Sequence, residues 1–154
     1  MRRVLVPAIA LGVLLSAGLA RAEGPFPSWQ GQWKIASTEH PPSFPKIENH
    51  ILTVTKDDGS KLAYTDHWTI GGKPSSSSYD GAYDGKPYKT SDGQNMAYEH
   101  VAGGYQDHWT NDSGASGEDR CTFTSDGLHM NCASSMTPKG GQPVAFKEHW
   151  DKVQ

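Results

Sequence analysis

From Gln32 onward, apolar and polar residues alternate in short runs, the period-two pattern of strands with one covered face. The pattern predicts strands over 32–37, 51–56, 61–70, 75–83, 94–101, 105–111, 119–124, 128–136 and 143–152. Turn pairs punctuate these runs, among them Asp58-Gly59, Gly71-Gly72, Gly103-Gly104 and Asp126-Gly127. No stretch of about 11 residues keeps an i, i+3, i+4 apolar stripe, so helices are not expected. Hairpin-linked strands of this number predict an all-β meander that curls into a barrel, which removes exposed edges. The Pro-rich run 41–45 and the polar run 111–117 read as connections.

One local pattern recurs on three of these strands: Tyr64-Thr65-Asp66-His67-Trp68, Tyr105-Gln106-Asp107-His108-Trp109 and Phe146-Lys147-Glu148-His149-Trp150. The intervening residues do not repeat, so the chain is not a solenoid. Strand alternation puts the first aromatic, the acid and the Trp on one face and the His on the other. Aromatic burial favours the first face as the inner one, which carries Asp66, Asp107 and Glu148 inward too. A buried carboxylate needs a partner, water or a cation. Three readings follow. In the first, the rings fill a packed core and the acids sit at its rim. In the second, Tyr64, Trp68, Tyr105, Trp109, Phe146 and Trp150 wall a cavity. Asp66, Asp107 and Glu148 then orient a small apolar or cationic amphiphilic ligand. In the third, His67, His108 and His149 hold a metal or haem, which requires the imidazoles to converge. His50, His100 and His129 are further metal candidates.

Catalytic motifs are weak. No nucleophile elbow, P-loop or dinucleotide fingerprint is present. Each Asp-His or Glu-His pair is adjacent in sequence and so faces opposite sides of its strand. The cross-strand His-acid pair that the hairpins suggest is His100 with Asp107, across Gly103-Gly104. The expectation is binding without catalysis and without a cofactor.

The N-terminus sets the compartment. Arg2 and Arg3, an apolar run over 4–19 and Ala20-Arg21-Ala22 read as a secretory signal peptide over 1–22, leaving a domain over 23–154. Three arginines fall within 1–22, so Lys plus Arg drops from 14 to 11 against 17 acids, and net charge moves from −3 to −6. An acidic chain with Arg120 as its remaining arginine is a poor partner for nucleic acid or anionic lipid. The expected location is the periplasm or the exterior, with no membrane contact after cleavage; oligomeric state is not legible. In an oxidising compartment Cys121 and Cys132 are expected to pair. A hairpin centred on Asp126-Gly127 sets them directly opposite each other.

Three stretches carry a resemblance to small secreted bacterial lipocalin-like (calycin) proteins. Trp29-Gln30-Gly31-Gln32-Trp33-Lys34 resembles the G-x-W strand that opens lipocalin barrels. Gly71-Gly72-Lys73-Pro74 with Tyr83-Asp84-Gly85-Lys86-Pro87-Tyr88 resembles a central segment of that group. Gly140-Gly141-Gln142-Pro143 through Trp150-Asp151-Lys152 is similar to its closing strand. The resemblance implies an up-and-down antiparallel barrel of eight to ten strands, here with one disulfide-linked hairpin. It also implies that Trp33 packs at the closed end under a basic residue of the last strand, Lys147 or Lys152. It is silent on the three acid-His-Trp copies.

Overall fold

A computed structural model describes residues 28–42 and 44–153. The signal peptide expected over 1–22 lies outside the described residues. Ten strands follow in order: β1 (Gly31–Glu39), β2 (Ile47–Asp57), β3 (Lys61–Ile70), β4 (Lys73–Ala82), β5 (Tyr88–Lys89), β6 (Asn95–Val101), β7 (Gly104–Thr110), β8 (Ser116–Phe123), β9 (His129–Thr137) and β10 (Val144–Val153). They form one antiparallel sheet ordered β4-β3-β2-β1-β10-β9-β8-β7-β6-β5. Every consecutive pair except β4 and β5 is a ladder, and β1 pairs with β10, which brings the first and last strands together. The result is a nearly closed up-and-down barrel with no helix among the described residues.

The seam between β4 and β5 is stitched by residues just beyond β5. The Ser91 N–H donates to the Ser78 carbonyl at 3.0 Å. In return the Ser78 N–H donates to Ser91 Oγ at 2.9 Å, and Ser77 Oγ donates to Asp92 at 2.7 Å. These bonds satisfy edge groups that would otherwise be free to pair with another chain.

Strands β5, β8 and β2 differ from the bounds that alternation predicts. Strand β5, two residues long, is too short to show a period. Strand β8 starts at Ser116 because Ser116 and Gly117 pair with Thr110 and Trp109, although their composition reads as loop. Strand β2 starts at Ile47, and a bulge near Asn49 hides the continuity from a period-two reading. Cys121 and Cys132 pair across the β8–β9 hairpin and form the disulfide.

One end of the barrel is closed by aromatic rings. Trp29 and Trp33 are fully buried with Leu62 and Met130. Trp29 stacks on Tyr105 at 4.3 Å, and Trp33 Nε1 donates to the Trp29 carbonyl at 2.6 Å. Asp57 accepts from the Trp29 N–H at 2.9 Å and from the Tyr83 hydroxyl at 3.1 Å. Tyr83 in turn accepts from Trp29 Nε1 at 2.8 Å. The Trp29 N–H and the indole N–H groups of Trp29 and Trp33 therefore have partners, which lets these indoles be buried without orphaning their donors. Lys152, from β10, lies over the Trp33 ring with Nζ 5.4 Å from its centroid. Of the two lysines that the lipocalin resemblance points to, this is the one that occupies the place.

Candidate functional site

The three acid-His-Trp copies occupy β3, β7 and β10. Strands β3 and β7 run from the plugged end toward the mouth, while β10 runs back. The five-residue pattern is symmetric about its acid, so reversal exchanges the two rings along the strand axis. Asp66, Asp107 and Glu148 all line the inner part of the barrel and form one acid layer there. Trp68 and Trp109 line the outer part and Trp150 the inner part.

Two connected cavities result. The outer one, about 270 Å³, opens at the mouth; its walls include Ile47, Trp68, Gln94, Met96 and Trp109. The inner one, about 120 Å³, reaches down to Trp29, Tyr98, Tyr105 and the Cys121–Cys132 disulfide, with Asp107, Glu148 and Trp150 on its walls. His50, Tyr64, Asp66, Met96 and Asp119 belong to both. Together they reach the lower end of the roughly 300–1,000 Å³ typical of small-ligand sites. Gly117 makes room for the Trp109 ring: a Cβ there would collide with the indole lying over it.

Of the nine residues expected to line a ligand site, Tyr64, Asp66, Trp68, Tyr105, Asp107, Trp109, Glu148 and Trp150 face these cavities. Phe146 does not. It is the uppermost ring of β10 and packs at the rim against Phe44, centroids 5.2 Å apart. The histidines of the copies lie on the outside. His67 is exposed, His108 sits 3.6 Å from Glu118, and His149 bonds Asn131 at 2.6 Å. They do not come together, and among the described residues no three His, Cys, Asp or Glu side chains are grouped to hold a metal ion. His129 is also outside, 2.7 Å from Asp151. His100 stacks on Tyr83 at 3.9 Å, with Nε2 2.9 Å from the Gly59 carbonyl. Its cross-strand partner is Tyr105, so it belongs to the plugged end and does not serve Asp107, whose partner on β6 is Tyr98.

Two interior residues escape the alternation argument. His50 points inward because Asn49 and His50 together oppose Trp68, and Asn49 takes the left-handed φ of 53° that this bulge requires. His50 Nε2 then lies 3.0 Å from Asp66 Oδ2, with the ring against Trp150 at 4.5 Å. The second is Asp119, directly across the ladder from both Asp107 and Ser134. A signal for it existed: Asp119 shares its parity with Cys121, which must face inward to reach Cys132.

The layer is short of positive charge. Among the residues lining either cavity, His50 is the single basic side chain. Burial alone would lower the His50 pKa, but its hydrogen bond to Asp66 and the fields of Asp66, Glu148 and Asp119 outweigh that and raise it. Burial, followed by the charge of Asp119, pushes Asp107 well above the usual carboxyl range. Burial also raises Asp119, against hydrogen bonds from Ser134 and Asp107 that hold it down. Asp107 therefore keeps a proton and donates it to Asp119, the behaviour of a close acid pair that cannot doubly ionise. Burial and Asp119 push Glu148 up to about 7, partly offset by His50 and by the Trp150 indole N–H at 3.1 Å. Beneath them the phenols of Tyr64, Tyr98 and Tyr105 are held neutral by burial. Near neutral pH Glu148 is therefore partly ionised, and the shifts of Asp107 and Asp119 both run toward the protonated form.

No protein-family model matches this chain, and no curated protein matches it in sequence. Among solved structures it is similar to a bovine odorant-binding protein in complex with undecanal, at 15% identity and a TM-score of 0.46, over 86% of this chain and 76% of that one.

Proposed function

We propose that the protein binds a small molecule inside the barrel, without catalysing a reaction on it. The observation that carries this reading is the open cavity at the mouth, walled by Trp68 and Trp109 and floored by carboxyl groups. A closed core would bury these rings against each other. Here the strands hold them apart, and the plug of Trp29, Trp33 and Leu62 already supplies the packed core. The ligand suited to such walls is apolar or a cationic amphiphile, with its apolar body between the indoles. Aromatic faces and carboxylates both favour positive charge. The sequence pattern over 1–22 supports export to the periplasm or exterior, where the Cys121–Cys132 bond is stable.

Tryptophan fluorescence tests the binding reading directly. Titration with a panel of amphiphilic amines and hydrophobic dyes is expected to quench or shift the emission of Trp68 and Trp109. Unchanged emission with every compound counts against a ligand cavity. N-terminal sequencing of protein recovered from outside the cytoplasm is expected to begin at Glu23.

A further inference from the structure

The acid layer joins two features that do not satisfy each other. Asp66, Asp107, Asp119 and Glu148 converge on one interior, with His50 as the sole basic group among the lining residues. Yet Asp107, only 3% exposed, turns an oxygen into the inner cavity with no hydrogen-bond partner, and Asp66 Oδ1 is likewise buried and unpaired. A buried acceptor without a donor is costly, and a cationic donor entering from the cavity would remove the cost. Strand β2 contributes His50, β3 Asp66 and Tyr64, β6 Tyr98, β7 Asp107 and Tyr105, β8 Asp119, and β10 Glu148. Strand β9 adds the neutral Ser134 beside Asp119, and β4 adds Tyr79 and Ser77. None of these other groups supplies positive charge.

We propose that the layer is a proton-exchanging site for an organic ammonium ion. The ligand is a protonated amine with an apolar body; its ammonium reaches Asp66, Asp107 and Asp119, its body lies between Trp68 and Trp109, and its entry releases a proton from the layer. The exchange balances: R–NH₃⁺ plus a protonated carboxyl gives R–NH₃⁺ against a carboxylate, and one H⁺ leaves to solvent. The proton comes from the Asp107–Asp119 pair, two carboxyls directly opposite each other that resist double ionisation, or from Glu148. The indoles at the mouth choose an organic cation over a bare metal ion, which would need closer oxygen ligands than this layer groups together. This inference rests on the small-molecule reading above and names its ligand class and its coupling to pH.

Isothermal titration calorimetry of the protein near pH 7 separates the two claims. The probes are 2-phenylethylamine and its neutral counterpart 2-phenylethanol, each measured in phosphate and in Tris, whose ionisation enthalpies differ. The amine is expected to bind about tenfold or more tightly than the alcohol, since the charged head gains contacts the hydroxyl cannot make. The buffer dependence of its heat is expected to report about one proton released per amine bound. Asp107→Asn is expected to keep a folded barrel and lower that release by about half or more, because the amide holds no exchangeable acid proton. Glu148→Gln provides the same measurement at the other proton source if Asp107→Asn does not fold. Equal affinities for amine and alcohol, or amine heats identical in the two buffers, overturn the proposal and leave the cavity reading standing. If a dye binds while neither phenyl compound does, the result is the same. Silence from every compound removes both.

Discussion

Replacing Glu148 by Gln removes a charge while keeping the acceptor for the Trp150 indole N–H, which Glu148 Oε2 now receives at 3.1 Å. The Glu148 carboxyl is raised from its ordinary 4.5 to about 7, chiefly by burial and then by Asp119. A carboxyl raised on folding contributes stability that is present below its unfolded value and lost as pH climbs through the folded one. That change corresponds to about 3 kcal/mol, withdrawn between roughly pH 4.5 and 7. Water entering the inner cavity would reduce it, so the figure is an upper bound. Glu148→Gln escapes the loss. The variant is expected to match the parent within about 1 kcal/mol near pH 5, where both side chains are neutral. By about pH 8 it is expected to be more stable by up to 3 kcal/mol, or about 10 °C in melting temperature for a domain of this size. Urea and thermal denaturation of both proteins across this range measure the gap. His50 acts in the same direction in both proteins. Its raised pKa gives stability present below about 6.5 and lost as pH rises through the folded value; because the Glu148 charge is one of the causes that raise it, the variant loses that share and the gap falls below the upper bound. A gap that stays constant with pH would show that Glu148 is not held protonated by its surroundings, and the account of the acid layer would fall with it.

Two further outcomes follow from other parts of the barrel. Reducing the Cys121–Cys132 bond, which closes a separation of 11 residues, is expected to cost about 3 kcal/mol by loss of loop constraint; equal melting with and without reductant would contradict this. Asn49→Val places a β-branched residue at a φ of 53° and is expected to destabilise by about 1–3 kcal/mol, while Asn49→Gly is tolerated. NMR titration of His50 in the valine variant is expected to move back toward the ordinary histidine range as the ring leaves Asp66. Equal stability of the two variants would mean that the bulge does not depend on this backbone conformation.

Much of the architecture was legible along the chain because strand geometry is local. Period-two alternation and Gly-containing turns were enough to predict an antiparallel meander. The symmetry of the Asp126-Gly127 hairpin was enough to set Cys121 opposite Cys132. Alternation also sorted Asp66, Asp107 and Glu148 from His67, His108 and His149, since neighbours on a strand cannot share a face. Long-range closure decided the rest. His50 faces inward through a bulge, a defect in the alternation on which the sequence argument relies. Asp119 becomes a partner of Asp107 through the β7–β8 register. Phe146 leaves the site because β10 runs opposite to β3 and β7, which puts its first ring at the rim. Whether the interior is hollow depends on how far ten twisted strands hold their side chains apart once the seam at Ser78 and Ser91 is made. No local pattern of residues encodes that separation, because it is a property of the closed sheet.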